Sequence, residues 1–94
     1  MHMITRTKHM LYTKENGEQS ERLVIVVSAP KTNYLVYDVT KLEQTDINVL
    51  LDALSQADEY RENALKDFEL ITGIQQRNLW RSFKPEGIEW TDEI

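Results

Sequence analysis

The residues of this 94-residue chain best suited to chemistry are cations set beside aromatic rings: Arg22, Tyr34, Tyr37, Trp80, Arg81 and Lys84. Three of them fall in NLWRSFKPEGIEW, residues 78–90, where a guanidinium adjoins one aromatic and a second aromatic follows two positions later. A guanidinium beside a ring suits stacking on a base and bidentate contact with a phosphate or carboxylate. The same residues also allow a purely structural reading. The rings then belong to core and rim, and Arg22 or Arg81 pairs with Glu21, Asp38 or Glu86.

Other chemistry finds little support. His9 has no second histidine at helical or strand spacing, so no metal site is expected, and no cofactor is implied. Asp58 and Glu62 stand four apart on one helix face, as a paired-carboxylate site would require, but a solvated acidic face explains them equally. Ser20, Ser28, Ser55 and Ser82 lie in no nucleophile-elbow context, and three glycines cannot build a phosphate-cradling loop. The expectation is a protein that is not an enzyme.

Composition narrows the class. The chain is long enough for one domain and buries about two thirds of its unfolded surface, so a second copy would add to a modest margin and a homodimer is a candidate state. It contains no cysteine, which removes disulfides and thiolate chemistry and suits the cytoplasm. No apolar run approaches the roughly 18–20 residues of a membrane span, and no secretory leader is evident. No chemistry is assigned to His2, because Met1-His2-Met3 has the look of residues left by a cloning site.

Charge is unevenly spread. Residues 43–69 hold eight acids against Arg61 and Lys66, a net charge of −6, within a chain whose total is −5. That balance argues against non-specific binding to duplex DNA, where many Lys and Arg contacts supply the affinity. It leaves room for a small basic pocket outside the acidic segment.

The elements that must position these residues are strands on either side of a helical insertion. ITRTKHMLYT, residues 4–13, reads as a strand leading into KENGEQS, where Asn16-Gly17 offers the positive φ angles of a tight hairpin. ERLVIVVS, over about 21–29, carries an apolar run short enough to be a strand buried on both sides or lying in a closed barrel. YLVYDV, over about 33–40, places Tyr34, Val36 and Asp38 on one face and Leu35, Tyr37 and Val39 on the other. Residues 45–72 read as one helix or a pair, with Thr45 as cap and an apolar stripe through Ile47, Leu50, Leu51, Leu54, Ala57, Ala64, Leu65, Phe68 and Ile71. Gly73 followed by Ile74 has the form of a helix-ending glycine with its hydrophobic follower. Strands at about 77–83 and 87–91 close the chain, with Leu79, Arg81 and Phe83 alternating with Trp80 and Ser82. The tail TDEI is expected to fray.

The strand residues together resemble the WYL domain, including its short single-domain phage relatives. LYTKENGEQSERLVIV, NYLVYDV and WRSFKPEGIEW follow that family's order: a Gly-containing hairpin, a strand with an arginine near its start, the name-giving strand and a closing Arg-x-Phe element. Arg22 matches the first arginine, Asn33-Tyr34-Leu35 the triplet with Asn in place of Trp, and Arg81, Phe83 and Ile88 the closing element. The resemblance implies a small Sm-like or SH3-like β-barrel of about five strands, α+β in class because of the inserted acidic helix. It also implies a regulatory or ligand-sensing module that holds a nucleotide or short nucleic acid, with Arg22, Tyr34 and Arg81 facing the ligand. Trp80 and Lys84 join them from the residue reading. Two departures stand out: no helix-turn-helix adjoins the strands, and the acidic helix is extra to the pattern. The alternative is a phage-type interaction protein, an inhibitor or accessory factor whose Asp52, Glu59 and Glu62 dock on a basic host protein.

Overall fold

The computed structural model describes residues 7–28 and 33–91. The expected strand start at residues 4–6, most of the turn after the second strand, and residues 92–94 lie outside that range. Five strands and two helices follow in order: β1 (Thr7–Thr13), β2 (Gln19–Ser28), β3 (Tyr34–Asp38), α1 (Gln44–Leu54), α2 (Asp58–Thr72), β4 (Trp80–Phe83) and β5 (Ile88–Trp90). All neighbours pair antiparallel in one sheet of order β4-β3-β2-β1-β5. The architecture is α+β, and the sheet is not closed: β4 and β5 are its two edges.

The turn between β1 and β2 is longer than the dipeptide Asn16-Gly17 suggests. Thr13 and Gln19 form the last pair, leaving five residues, and of these only Gly17 has a positive φ, at 87°. Asn16 contributes its side chain instead, Oδ1 accepting from the Glu18 N–H at 3.0 Å. A polar side chain thus replaces the second backbone conformation that a two-residue turn would need.

Cross-strand register sorts the sheet into two faces. Met10 pairs with Arg22, Val24 with Asp38, Val26 with Val36, Val36 with Arg81 and Tyr34 with Phe83, so these residues share one face. Met10, Val24 and Val36 are its buried centre, ringed by Tyr12, Val26, Tyr34, Phe83, Ile88 and Trp90. The other face carries Leu23, Ile25 and Tyr37 against the helices, in a cluster with Val39, Ile47, Leu50, Phe68 and Leu79. Of the described side chains in β2 only Val24 and Ile25 are buried, Val24 by the rings and aliphatics of one face and Ile25 by the helices on the other, whereas Val27, at the end of the apolar run, is 39% exposed.

The face bearing Met10 is concave. Tyr12 of β1 and Phe83 of β4 meet edge to face with ring centroids 4.8 Å apart, and Tyr34 of β3 meets Trp90 of β5 at 5.6 Å. Each pair comes from strands three places apart, which a flat sheet would hold about 14 Å from one another. The link 84–87, with a 3-10 turn at Pro85–Gly87, joins the two edges.

The helical segment divides at residues 55–57. Ser55 caps α1 and Ala57 precedes α2. The N-terminal cap of α1 is Glu43, without a side-chain bond; Thr45, expected as cap, lies inside the helix. Gly73 ends α2 at φ 74°, its N–H bonding the Glu69 carbonyl. Ile71, assigned to the apolar stripe, is 70% exposed. Gly73 turns the chain and Ile74, beyond the cap, packs against the helix-side cluster while Ile71 does not. Leu79 is likewise displaced: residues 76–79 form a 3-10 turn, strand alternation begins only at Trp80, and Leu79 joins the helix-side cluster rather than the face of Arg81.

The concave shape makes Gly87 a tight point. A Cβ there would stand 2.7 Å from the Tyr12 ring and 2.9 Å from the Thr13 carbonyl oxygen. Gly87→Ala is expected to lower stability by about 1–3 kcal/mol in urea unfolding; an unchanged midpoint would mean that the link does not press on β1.

Candidate anion-binding site

Two sequence-remote arginines converge where β3 leaves the sheet and β4 enters it. Arg22 and Arg81 sit on the same concave face, one on each side of Asp38, and both line a cavity of about 340 Å³ with Lys41, Leu42, Asn78 and Leu79. The turns on either side build it. After β3, the Val39 N–H bonds the Leu23 carbonyl at 2.9 Å and the Leu42 N–H bonds the Val39 carbonyl at 3.0 Å, which turns Lys41 and Leu42 toward the sheet end. Before β4, the 3-10 turn carries Asn78 and the buried Leu79 to the opposite wall.

Asp38 is fixed from its own side of that turn. Its Oδ1 accepts from the Thr40 N–H at 3.1 Å and from the Thr40 hydroxyl, whose oxygen in turn accepts from the Leu23 N–H at 3.1 Å. The aspartate followed by a residue that bonds back to it is an Asx turn, a local arrangement that short polar side chains favour after a strand. Oδ2 faces Arg22, whose Nη1 is 3.7 Å away, a charge contact longer than a hydrogen bond. The Asp38 side chain is 12% exposed and that of Arg22 34%, so the pair is neither deeply buried nor free.

Arg81 differs. Its Nη1 donates to the carbonyls of Asn78 at 2.9 Å and Trp80 at 2.7 Å, while no carboxylate of the described residues lies within ion-pair distance. Lys41, at the same cavity, has no ion pair among the described residues either. The cavity therefore presents three cations and one carboxylate. At 3.7 Å the Arg22–Asp38 contact is too long for a hydrogen bond, so it leaves the Arg22 donors available to an incoming anion. The apolar walls are Leu42 and Leu79.

The other expected ligand residues lie elsewhere. Tyr34 is half-buried in the concave cluster against Trp90. Trp80, 50% exposed, projects on the helix side and meets Tyr37 edge to face at 5.7 Å. It lines a separate cavity of about 540 Å³ with Glu69, Gln75, Gln76 and Arg77, where one acid offsets one base. There the Tyr37 hydroxyl donates to Gln76 Oε1 at 2.9 Å, and burial, with the Glu69 charge adding, pushes that phenol up from its ordinary pKa. Lys84 pairs with Glu15 of the hairpin at 3.1 Å, and that hydrogen bond and charge hold its ammonium above the ordinary lysine range. A further cavity, of about 400 Å³, lies on the other side of Arg22 with His9, Met10, Glu21 and Thr91.

Lys41 is the site residue that the sequence reading misses. It follows Asp38 by three positions, in a turn whose reversal brings it back beside the strand; a base shortly after an Asx turn is the only sign of it. Of the acids assigned to a partner surface, Asp52, Glu59 and Glu62 are all exposed, and Glu62 meets Lys66 at 3.7 Å. No three His, Asp or Glu residues of the described chain gather as a metal site would require, and no helix among them is long and apolar enough to cross a membrane. Comparison of the chain with protein families, curated proteins and solved structures finds no match in any of the three.

Proposed function

We propose that this chain is a small ligand-sensing module that binds a phosphate-bearing or other anionic small molecule, a nucleotide among them, in the cavity of Arg22, Lys41 and Arg81. The observation that carries the reading is the convergence of three cations from β2, the turn after β3, and β4 on one cavity with a single carboxylate. Guanidinium groups offer paired donors that match phosphate geometry, and Lys41 adds a mobile third charge. Leu42 and Leu79 supply apolar contact to whatever the anion is attached to; neither Tyr34 nor Trp80 lines this cavity, so ring stacking is not part of the proposal.

The curled sheet is in our reading an Sm-like or SH3-like barrel whose last hydrogen-bonded ladder is missing. Support comes from the strand order and from the 3-10 link between β4 and β5. In such a barrel, the arginines belong to the inner-facing register, Arg22 opposite Met10 and Arg81 opposite Val36. That placement and the resemblance to WYL domains agree in making Arg22 and Arg81 the residues that meet a ligand.

Titration with 5′-nucleotides, cyclic nucleotides and short oligonucleotides, followed by calorimetry, is expected to give salt-sensitive binding of at least one class. Arg81→Ala should weaken it by about tenfold or more, the cost of a charge-assisted bidentate contact. Absence of binding by every class, or equal binding by the variant, contradicts the assignment.

A second reading has its own observation. Besides its exposed acids, α2 also carries large apolar side chains in water: Tyr60 is 60% exposed, Leu70 82% and Ile71 70%. An acidic surface with apolar anchors suits docking on a basic protein. Charge reversal of Asp52, Glu59 and Glu62 together is expected to abolish salt-sensitive association with a basic partner protein. Association that survives the reversal removes the helices from consideration.

A further inference from the structure

The cationic cavity contains one residue that works against a simple anion. Asp38 lies between Arg22 and Arg81 on the concave face, so any phosphate or carboxylate drawn to both arginines stands beside a fixed negative charge. Like charges at such separations oppose binding by amounts comparable to what one cation contributes. The carboxylate cannot readily turn away, because Thr40 holds Oδ1 through its N–H and its hydroxyl.

Oδ2 is differently placed. A carboxylate oxygen has two acceptor sites, and among the described residues Oδ2 meets only the Arg22 guanidinium, at 3.7 Å. Once a ligand anion engages Arg22, Oδ2 keeps acceptor capacity on the cavity side. We infer that Asp38 is a specificity-determining residue, and that the site selects anions carrying a hydrogen-bond donor close to the anionic group. The favoured class is an amino- or hydroxyl-bearing phosphate, or a zwitterion, whose anion meets the arginines while its N–H or O–H meets Asp38. This inference rests on the proposed anion site and refines it.

The test uses ethanolamine phosphate and ethyl phosphate, which match in size and differ chiefly in the ammonium. Long-range charge alone favours ethyl phosphate, the more negative of the two. The inference requires the reverse: the intact protein should bind ethanolamine phosphate about tenfold more tightly, the worth of one charge-assisted hydrogen bond. In Asp38→Asn, which retains an oxygen for Thr40, the ratio should fall to about one, with ethyl phosphate binding more tightly than before. Circular dichroism verifies that the variant folds, and the wild-type ratio decides the matter even if it does not. Equal affinities in the wild type, or a preference that survives Asp38→Asn, overturn the inference while leaving the anion site standing. Failure of both probes to bind overturns the anion site and the inference together.

Discussion

The structure depends on a short link between two distant edges. Phe83 ends one edge strand and Ile88 begins the other, with only residues 84–87 between them. Five flat strands would separate those edges by about 19 Å. A link containing a 3-10 turn covers about 13 Å even with extended ends. The sheet must therefore curl, and it does so around Met10, Val24 and Val36. Tyr12 against Phe83 and Tyr34 against Trp90 fill the space that the curl encloses.

Curling also decides where the polar ends of the strands go. On the concave face Arg22 stands opposite Met10, Arg81 opposite Val36, and Asp38 ends β3 opposite Val24, so the charged side chains border the apolar centre. Bringing the strands around one axis draws these side chains together. The helices act from the other face. Phe68, wholly buried, and Leu50 tie α2 and α1 to Ile25 and Tyr37, and full burial of a side chain of that size contributes about 1.5–3 kcal/mol. That exceeds what the missing side-chain caps of α1 and α2 would have supplied, about 1 kcal/mol each.

Much of this is legible in the residues themselves. Period-two alternation in YLVYD and WRSF is enough to put Asp38 with Val36, and Arg81 with Phe83, on one face and to send Trp80 to the other. Gly73 followed by Ile74 marks the end of a helix because glycine takes the left-handed conformation without Cβ strain and the apolar follower turns back to the core. Failures occur where local pattern meets a reversal of the chain. Leu79 looks like a strand residue, but it ends a 3-10 turn that removes the alternation, and Ile71 looks like core, yet it is Ile74, beyond the cap, that packs on the cluster. The meeting of Arg22 with Arg81 depends on the pairing of β3 with both β2 and β4, which no single segment encodes. Lys41 has only a faint local sign for the same reason: its position is a property of the turn.

The central claim is that the strand ends gather Arg22, Lys41 and Arg81 into one anion site. Nitrogen-detected NMR of the arginine and lysine side chains during titration with inorganic phosphate tests it most directly. Saturable shifts confined to Arg22, Lys41 and Arg81, with Lys8, Lys14 and Lys84 unmoved, are the expected result. Weak, unsaturable shifts spread over all the cations would contradict the account.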